Sequence, residues 1–248
     1  MKKLLSILLL ATCTLACRDA GLQHYWDKYG VAVDDYALTR DRFVQFAEQL
    51  NDASPQEACE AIDALMDKLV GDEVSYYIYS EWFVAAFHSI LSPVRNSGLF
   101  SHFAERLSTD GLMSESDYAP LQELASKDGF NLPGEKCSIP TLQDASGAET
   151  AWTPGEETLF LVVNLDCATC VAALHALSDK PGRHIALCFG YTPVPDIAGW
   201  EYYYPKDIDQ YFDLDSAPFW FTVDPDGNVS TPYSIVPEYN GFATPDNQ

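Results

Sequence analysis

Residues Thr158 to Leu165 read Thr-Leu-Phe-Leu-Val-Val-Asn-Leu, nearly all apolar and rich in β-branched and aromatic side chains. A strand of this kind has no polar face to give to water, so it reads as the centre of a sheet, buried on both sides. Two more strands of similar character follow, His184 to Phe189 and Phe219 to Val223, with a short helix from Ala168 to Ser178 after the first. Asp224-Pro-Asp-Gly227 is a tight-turn sequence leading into Asn228 to Thr231, so the third strand continues as an antiparallel hairpin. Upstream, Ser138 to Gln143, a turn at Asp144 to Gly147, and Thr150 to Trp152 read as a small hairpin.

The chain before Asp128 follows a different grammar. From about Tyr36 the apolar residues recur at helical spacing, with Phe43, Phe46, Ala47 and Leu50 on one face. Ser54-Pro55 opens a second helix as N-cap and first helical residue, and Glu57 completes a capping box. Its stripe is Cys59, Ile62, Met66 and Leu69; Gly71 ends it, and Asp72 caps an aromatic-rich third helix running to about Leu91. Shorter helices are predicted at Gly98 to Leu107 and Glu115 to Ala125, with Arg95 and Asn96 as capping residues and His88 and His102 packed against aromatics. The breaker cluster Asn131-Leu-Pro-Gly134 reads as the junction between the two regimes, open to proteolysis.

At the N-terminus, Lys2 and Lys3 precede the apolar run Leu4 to Ala11, which is too short to span a bilayer and reads as an export signal. The following Leu15-Ala16-Cys17 resembles the lipobox of bacterial lipoproteins, which implies cleavage before Cys17 and a lipid on that cysteine. With 14 Lys and Arg against 37 Asp and Glu, a net charge of -23, a polyanion such as nucleic acid is repelled. Of seven cysteines, Cys59, Cys137, Cys167, Cys170 and Cys188 lie beyond the leader, an odd number more natural to one redox pair than to a disulfide framework.

Cys167-Ala-Thr-Cys170 sits where the buried strand hands over to a helix. Unpaired N–H groups and a positive dipole end there favour a thiolate on Cys167, and Cys170 lies one turn on, within disulfide reach. Asp166 opposes that thiolate. Three other readings stand beside a redox dithiol: half a zinc site lacking two further ligands, an inert structural disulfide, and a peroxide-reducing thiol lacking a nearby arginine.

From Leu132 to about Ser230 the chain resembles the TlpA/ResA-like branch of the thioredoxin superfamily, through Leu132-Pro-Gly134, the hairpin Thr141 to Gly147, the C-x-x-C, and Ala217-Pro218 before Phe219 to Gly227. Tyr25-Trp26-Asp27 and Ser92-Pro-Val-Arg-Asn96 are similar to the helical domain of uncharacterised function that precedes such domains in some Gram-negative lipoproteins. The resemblance implies an α/β thioredoxin-like domain, a central mixed sheet with flanking helices, after an all-helical domain. Together with the leader, the change of periodicity and the breaker cluster, these readings divide the chain into a signal peptide (1–16), a lipid-anchored linker (17–35), a helical domain (36–130) and a thioredoxin-like domain (131–248). The resemblance implies catalytic Cys167 and Cys170, a cis Ala217-Pro218 facing the dithiol as the client-binding element, and no cofactor; the role of Asp166 as modulator of the thiol pKa comes from its charge alone. Partners would be protein clients carrying disulfides or thiols, a thiol electron donor, and the envelope membrane through Cys17. Here Asp166 replaces the family's usual Trp, the dipeptide between the cysteines lacks proline, and Thr231 to Gln248, with Pro232, Pro237, Gly241 and Pro245, has no sign of the closing helix. The expected activity is disulfide exchange or reduction in clients; the alternative is a non-catalytic binding or scaffold lipoprotein on the same fold.

Overall fold

The computed structural model describes residues 21–190, 193, 195 and 197–236. The export signal and Cys17 lie outside the described residues.

Five helices form the N-terminal unit: α1 (Tyr36–Asp52), α2 (Pro55–Leu69), α3 (Glu73–Phe83), α4 (Ser97–Asp110) and α5 (Glu115–Asp128). Four begin on side chains that accept a backbone N–H otherwise unpaired: Asp35 from Leu38, Ser54 from Glu57, Asp72 from Ser75 and Asn96 from Leu99. The predicted caps at Ser54, Asp72 and Asn96 are thus present. The helix expected to run to Leu91 instead leaves α geometry at Phe83 and continues as a π-helical turn, Val84–His88. A shift of that kind rotates the following side chains relative to the α pattern. Within the unit Phe43, Phe46, Tyr76, Tyr79, Phe83, Phe87, Phe100 and Phe103 are fully buried, with Phe83 and Phe103 stacked at 4.6 Å. The region read as a linker is partly built into this core: Leu22–Asp27 forms a 3₁₀ turn whose Trp26 is 2% exposed, and Tyr25 donates to the Arg42 carbonyl.

The sheet has the order β5-β4-β3-β6-β7, with β3 (Thr158–Asn164), β4 (Arg183–Phe189), β5 (Trp200–Tyr203), β6 (Phe219–Val223) and β7 (Val229–Ile235). β3 is central, parallel to β4 and antiparallel to β6. Its side chains alternate between two cores: Leu159, Leu161 and Val163 pack with α6 (Ala168–Leu177), while Phe160 and Val162 pack with Leu142, Ile208 and Phe212. The second face is therefore covered by a short hairpin, β1 (Leu142–Gln143) and β2 (Glu149–Thr150), and by the turn around Ile208 and Phe212, with Ile90 of the helical unit packed alongside. β5 was not predicted; its four residues carry only one buried side chain, Trp200, so no periodic signal marks it. The last described element is β7, an edge strand, where Pro232 is tolerated because an edge strand leaves backbone positions without a partner.

The junction is exposed at Gly129, Pro133 and Gly134 but pinned at two buried residues. Asp128 is 4% and Asn131 3% exposed, and Asn131 accepts from Ser138 N–H while donating to the Ser138 carbonyl and the Tyr233 hydroxyl.

Candidate functional site

β3 ends at Asn164, and Asn164 Oδ1 accepts the Asp166 N–H at 2.9 Å, a side-chain-closed turn that delivers Cys167 to the N-cap of α6. Cys167 is half-buried and Cys170, one turn in, is 1% exposed. The Thr169 hydroxyl lies 2.8 Å from the Cys167 sulfur, and to a thiolate it can only donate. That hydroxyl, with the Cys170 and Thr169 N–H groups and the Cys170 thiol, holds the Cys167 pKa below its usual value against the opposing effect of burial. Cys170 is pushed the other way, up to about 12, by burial and by the charge and hydrogen bond of Cys167. The pair thus divides into an accessible sulfur disposed to ionise and an enclosed one that holds its proton.

Sequence reasoning identified the two cysteines and missed Thr169, which it treated as spacer. A hydroxyl two residues past an N-cap thiol is a signal that could have been used, since the helix N-terminus turns both toward the same unpaired N–H groups. Asp166, expected to oppose the thiolate, is exposed, and its carboxylate lies close above Gly190. A Cβ at Gly190 would stand 2.8 Å from Asp166 Oδ2 and 2.8 Å from Asn164 Oδ1, and the backbone φ there is +100°. Only glycine fits between the end of β4 and the turn that carries the dithiol.

Ala217-Pro218 is a cis peptide bond, as the resemblance implied. Pro218 lines a groove of about 270 Å³ with Ser89, Ile90 and Leu91 of the helical unit and Ile235 and Val236. Val236 also belongs to the buried cluster that contains Cys170 and against which Cys167 packs. The loop before Pro218 is organised by Asp213, whose carboxylate accepts the Ser216 hydroxyl at 2.5 Å and the Asp215 N–H at 3.2 Å.

His88 does pack on Phe100, at 5.0 Å, but it also joins the two halves of the molecule. Its Nδ1 is 2.9 Å from Asp128 and its Nε2 is 3.1 Å from Asp213. Arg95, expected as a helix cap, instead donates to Asp128 at 2.6 Å and to the His88 carbonyl at 3.0 Å, and lies over the Tyr233 ring. His102 pairs with Asp63 at 3.0 Å.

The other thiols are poor nucleophiles. Burial raises Cys137 and Cys188 to about 12, and burial with the nearby Asp63 raises Cys59. Among the described residues no group of three or more His, Cys, Asp or Glu converges as metal ligands, and no helix is long and apolar enough to cross a membrane.

No protein-family model and no curated protein matches the chain. Among solved structures, it is similar to a thioredoxin-like protein from Bacteroides caccae, 19% identical, with 88% of each chain covered and a TM-score of 0.69. A C-terminal domain of an uncharacterised protein from Bacteroides fragilis, also 19% identical, covers 44% of this chain and 94% of its own, with a TM-score of 0.36. The first of these likenesses, extending over the helices as well as the sheet, identifies the chain as having a thioredoxin-like fold preceded by a helical region.

Proposed function

We propose that the chain is a thiol-disulfide oxidoreductase of the cell envelope, of the TlpA/ResA-like kind, anchored by lipid on Cys17. The observation that carries this reading is the asymmetry of the dithiol: Cys167 is accessible with its pKa lowered, and Cys170 is enclosed with its pKa raised. The Cys167 thiolate attacks a client disulfide, forming a mixed disulfide and releasing one client thiolate. Cys170 loses its proton and attacks the Cys167 sulfur, closing the Cys167–Cys170 disulfide and releasing the second client thiolate. Two electrons pass to the client, and a thiol donor must return them. The groove at Pro218 would hold the client segment beside its disulfide, and Asp166 would temper the thiolate.

The test is a thiol count before and after mild reductant, combined with equilibration in redox buffers. Two thiols should appear on reduction, both lost in a Cys167→Ser, Cys170→Ser double variant. The potential should lie nearer the thioredoxin value of about -270 mV than the strongly oxidising extreme of about -120 mV. A pair that no mild reductant opens would sink the reading.

One observation favours a second reading, a non-catalytic binding lipoprotein. An apolar groove of about 310 Å³ runs between α1 and α3, lined by Phe43, Val44, Trp82, Leu91 and Val94 among others, with Val44 and Leu91 exposed. A wild-type protein with no exchange activity would favour it.

A further inference from the structure

The helical unit has no part in the chemistry just described, yet it reaches the loop that carries the cis proline. His88 stands at the end of the π-helical turn, 8% exposed, with each ring nitrogen committed to a carboxylate from a different half of the molecule. On the helical side Asp128 closes α5 and is itself held by Arg95 at 2.6 Å. On the sheet side Asp213 begins the loop to Pro218, and its carboxylate binds the Ser216 hydroxyl and the Asp215 N–H, while Ser216 and Ala217 donate to the Asp213 and Leu214 carbonyls. Two residues, Asp215 and Ser216, are thus bonded to the one carboxylate that His88 holds, and the cis bond follows directly.

We propose that His88 is a positioning residue: anchored to Asp128 through Nδ1, it fixes Asp213 through Nε2 and so sets the loop Asp213–Pro218 against which the client segment docks. The inference rests on the reading of Pro218 as a client-binding element. It gives the helical unit a role in client affinity and none in thiol chemistry, because His88 acts through Asp213 and the thiol pKa is set by Thr169 and the α6 N–H groups. The groups facing His88 are Asp128 and Lys127 of α5, Arg95 of the connector to α4, Asp213 of the loop and Tyr233 of β7, which line one small cavity with it. Both carboxylates favour the charged imidazole, and its pKa is raised to about 9 despite burial.

Two substitutions separate the two nitrogens. The amide of His88→Asn can replace the Nδ1 donor toward Asp128 but falls short of Asp213; that of His88→Gln can replace the Nε2 donor toward Asp213. Full-length wild type and both variants are assayed on a peptide disulfide and on a small aromatic disulfide that needs no groove. His88→Asn should raise KM for the peptide about tenfold, the effect of losing one charge-assisted hydrogen bond. Its kcat, its rate on the small disulfide and the Cys167 pKa should stay unchanged, and His88→Gln should recover most of the loss. Amide exchange at Asp215, Ser216 and Ala217 should speed up in the Asn variant and recover in the Gln variant. Unchanged peptide KM with unchanged loop exchange overturns the inference. A wild type that exchanges no disulfide overturns the functional reading instead, and loop exchange then decides the positioning claim by itself. Where His88→Asn does not fold, Asp213→Asn set against His88→Gln carries the same comparison.

Discussion

The chemistry of the site rests on single atoms around Cys167. Its largest aid to ionisation is the Thr169 hydroxyl, so Thr169→Val should raise the Cys167 pKa and leave Cys170 buried and protonated. Alkylation with iodoacetamide across pH reads this directly; an unmoved titration midpoint would show the N–H groups acting alone. Asp166→Asn should move the midpoint down, since a like charge beside a thiolate disfavours it. At this scale the sequence was half legible. The cysteine spacing at a strand-to-helix handover was enough to propose the pair. The Asp166 rotamer over Gly190 and the two partners of His88 depend on approaches between residues up to 125 positions apart, which no local pattern carries.

At the scale of elements, the site depends on how β3 and β4 end. Gly190 admits the Asn164 and Asp166 side chains against its backbone at positive φ. Gly190→Ala should cost about 2 kcal/mol through backbone strain and crowding, read by chemical denaturation. It should also lower the rate of Cys167 alkylation, because the turn that delivers the thiol must shift. A variant with wild-type stability would show that the turn relaxes freely. The elements themselves were the most legible part. β3, β4 and β6 follow from apolar runs, α2 from Ser54-Pro55, and the β6–β7 hairpin from Asp224 to Gly227. β5 has too few buried residues to announce itself, and the π turn at Val84–His88 is a choice of hydrogen-bond register that the same aromatic pattern leaves open.

For the whole molecule, a buried ionic network joins the helical unit to the sheet beside the apolar packing of Ile90. Asp128 sits between His88 and Arg95 at 4% exposure, so Asp128→Ala removes one of the two carboxylates of the buried His88 and the carboxylate partner of the half-buried Arg95, and should cost about 2–3 kcal/mol. The network also sets a pH window. His88 is raised from 6.5 to about 9, so its contribution is complete below 6.5 and fades as pH rises through 9. Asp213 is lowered from 3.8 to about 2, so its contribution is complete above 3.8 and fades as pH falls through 2. Stability should therefore be flat between these limits on account of this network and decline on the alkaline side first, a decline that His88→Gln should remove. The breaker cluster at Asn131 to Gly134 lies between α5 and the β1–β2 hairpin; Asp128 and Asn131 are buried there while Pro133 and Gly134 are exposed, so a protease is expected to cut at the latter pair. Limited proteolysis should leave residues 128–131 intact; a cut between them would mean that the two parts separate in solution. Cys17→Ser, in turn, should move the protein from the membrane fraction to the soluble one.

Disulfide trapping bears on the dithiol without reference to any other part of the molecule. Purified Cys170→Ser and Cys167→Ser variants are incubated with a peptide disulfide, and the products are resolved without reductant by mass. Cys170→Ser should accumulate a mixed disulfide through Cys167, because attack proceeds and resolution cannot, whereas Cys167→Ser should trap nothing. If Cys170→Ser also traps nothing, or if Cys167→Ser traps the peptide as readily, the division of the pair into nucleophile and resolving thiol is contradicted.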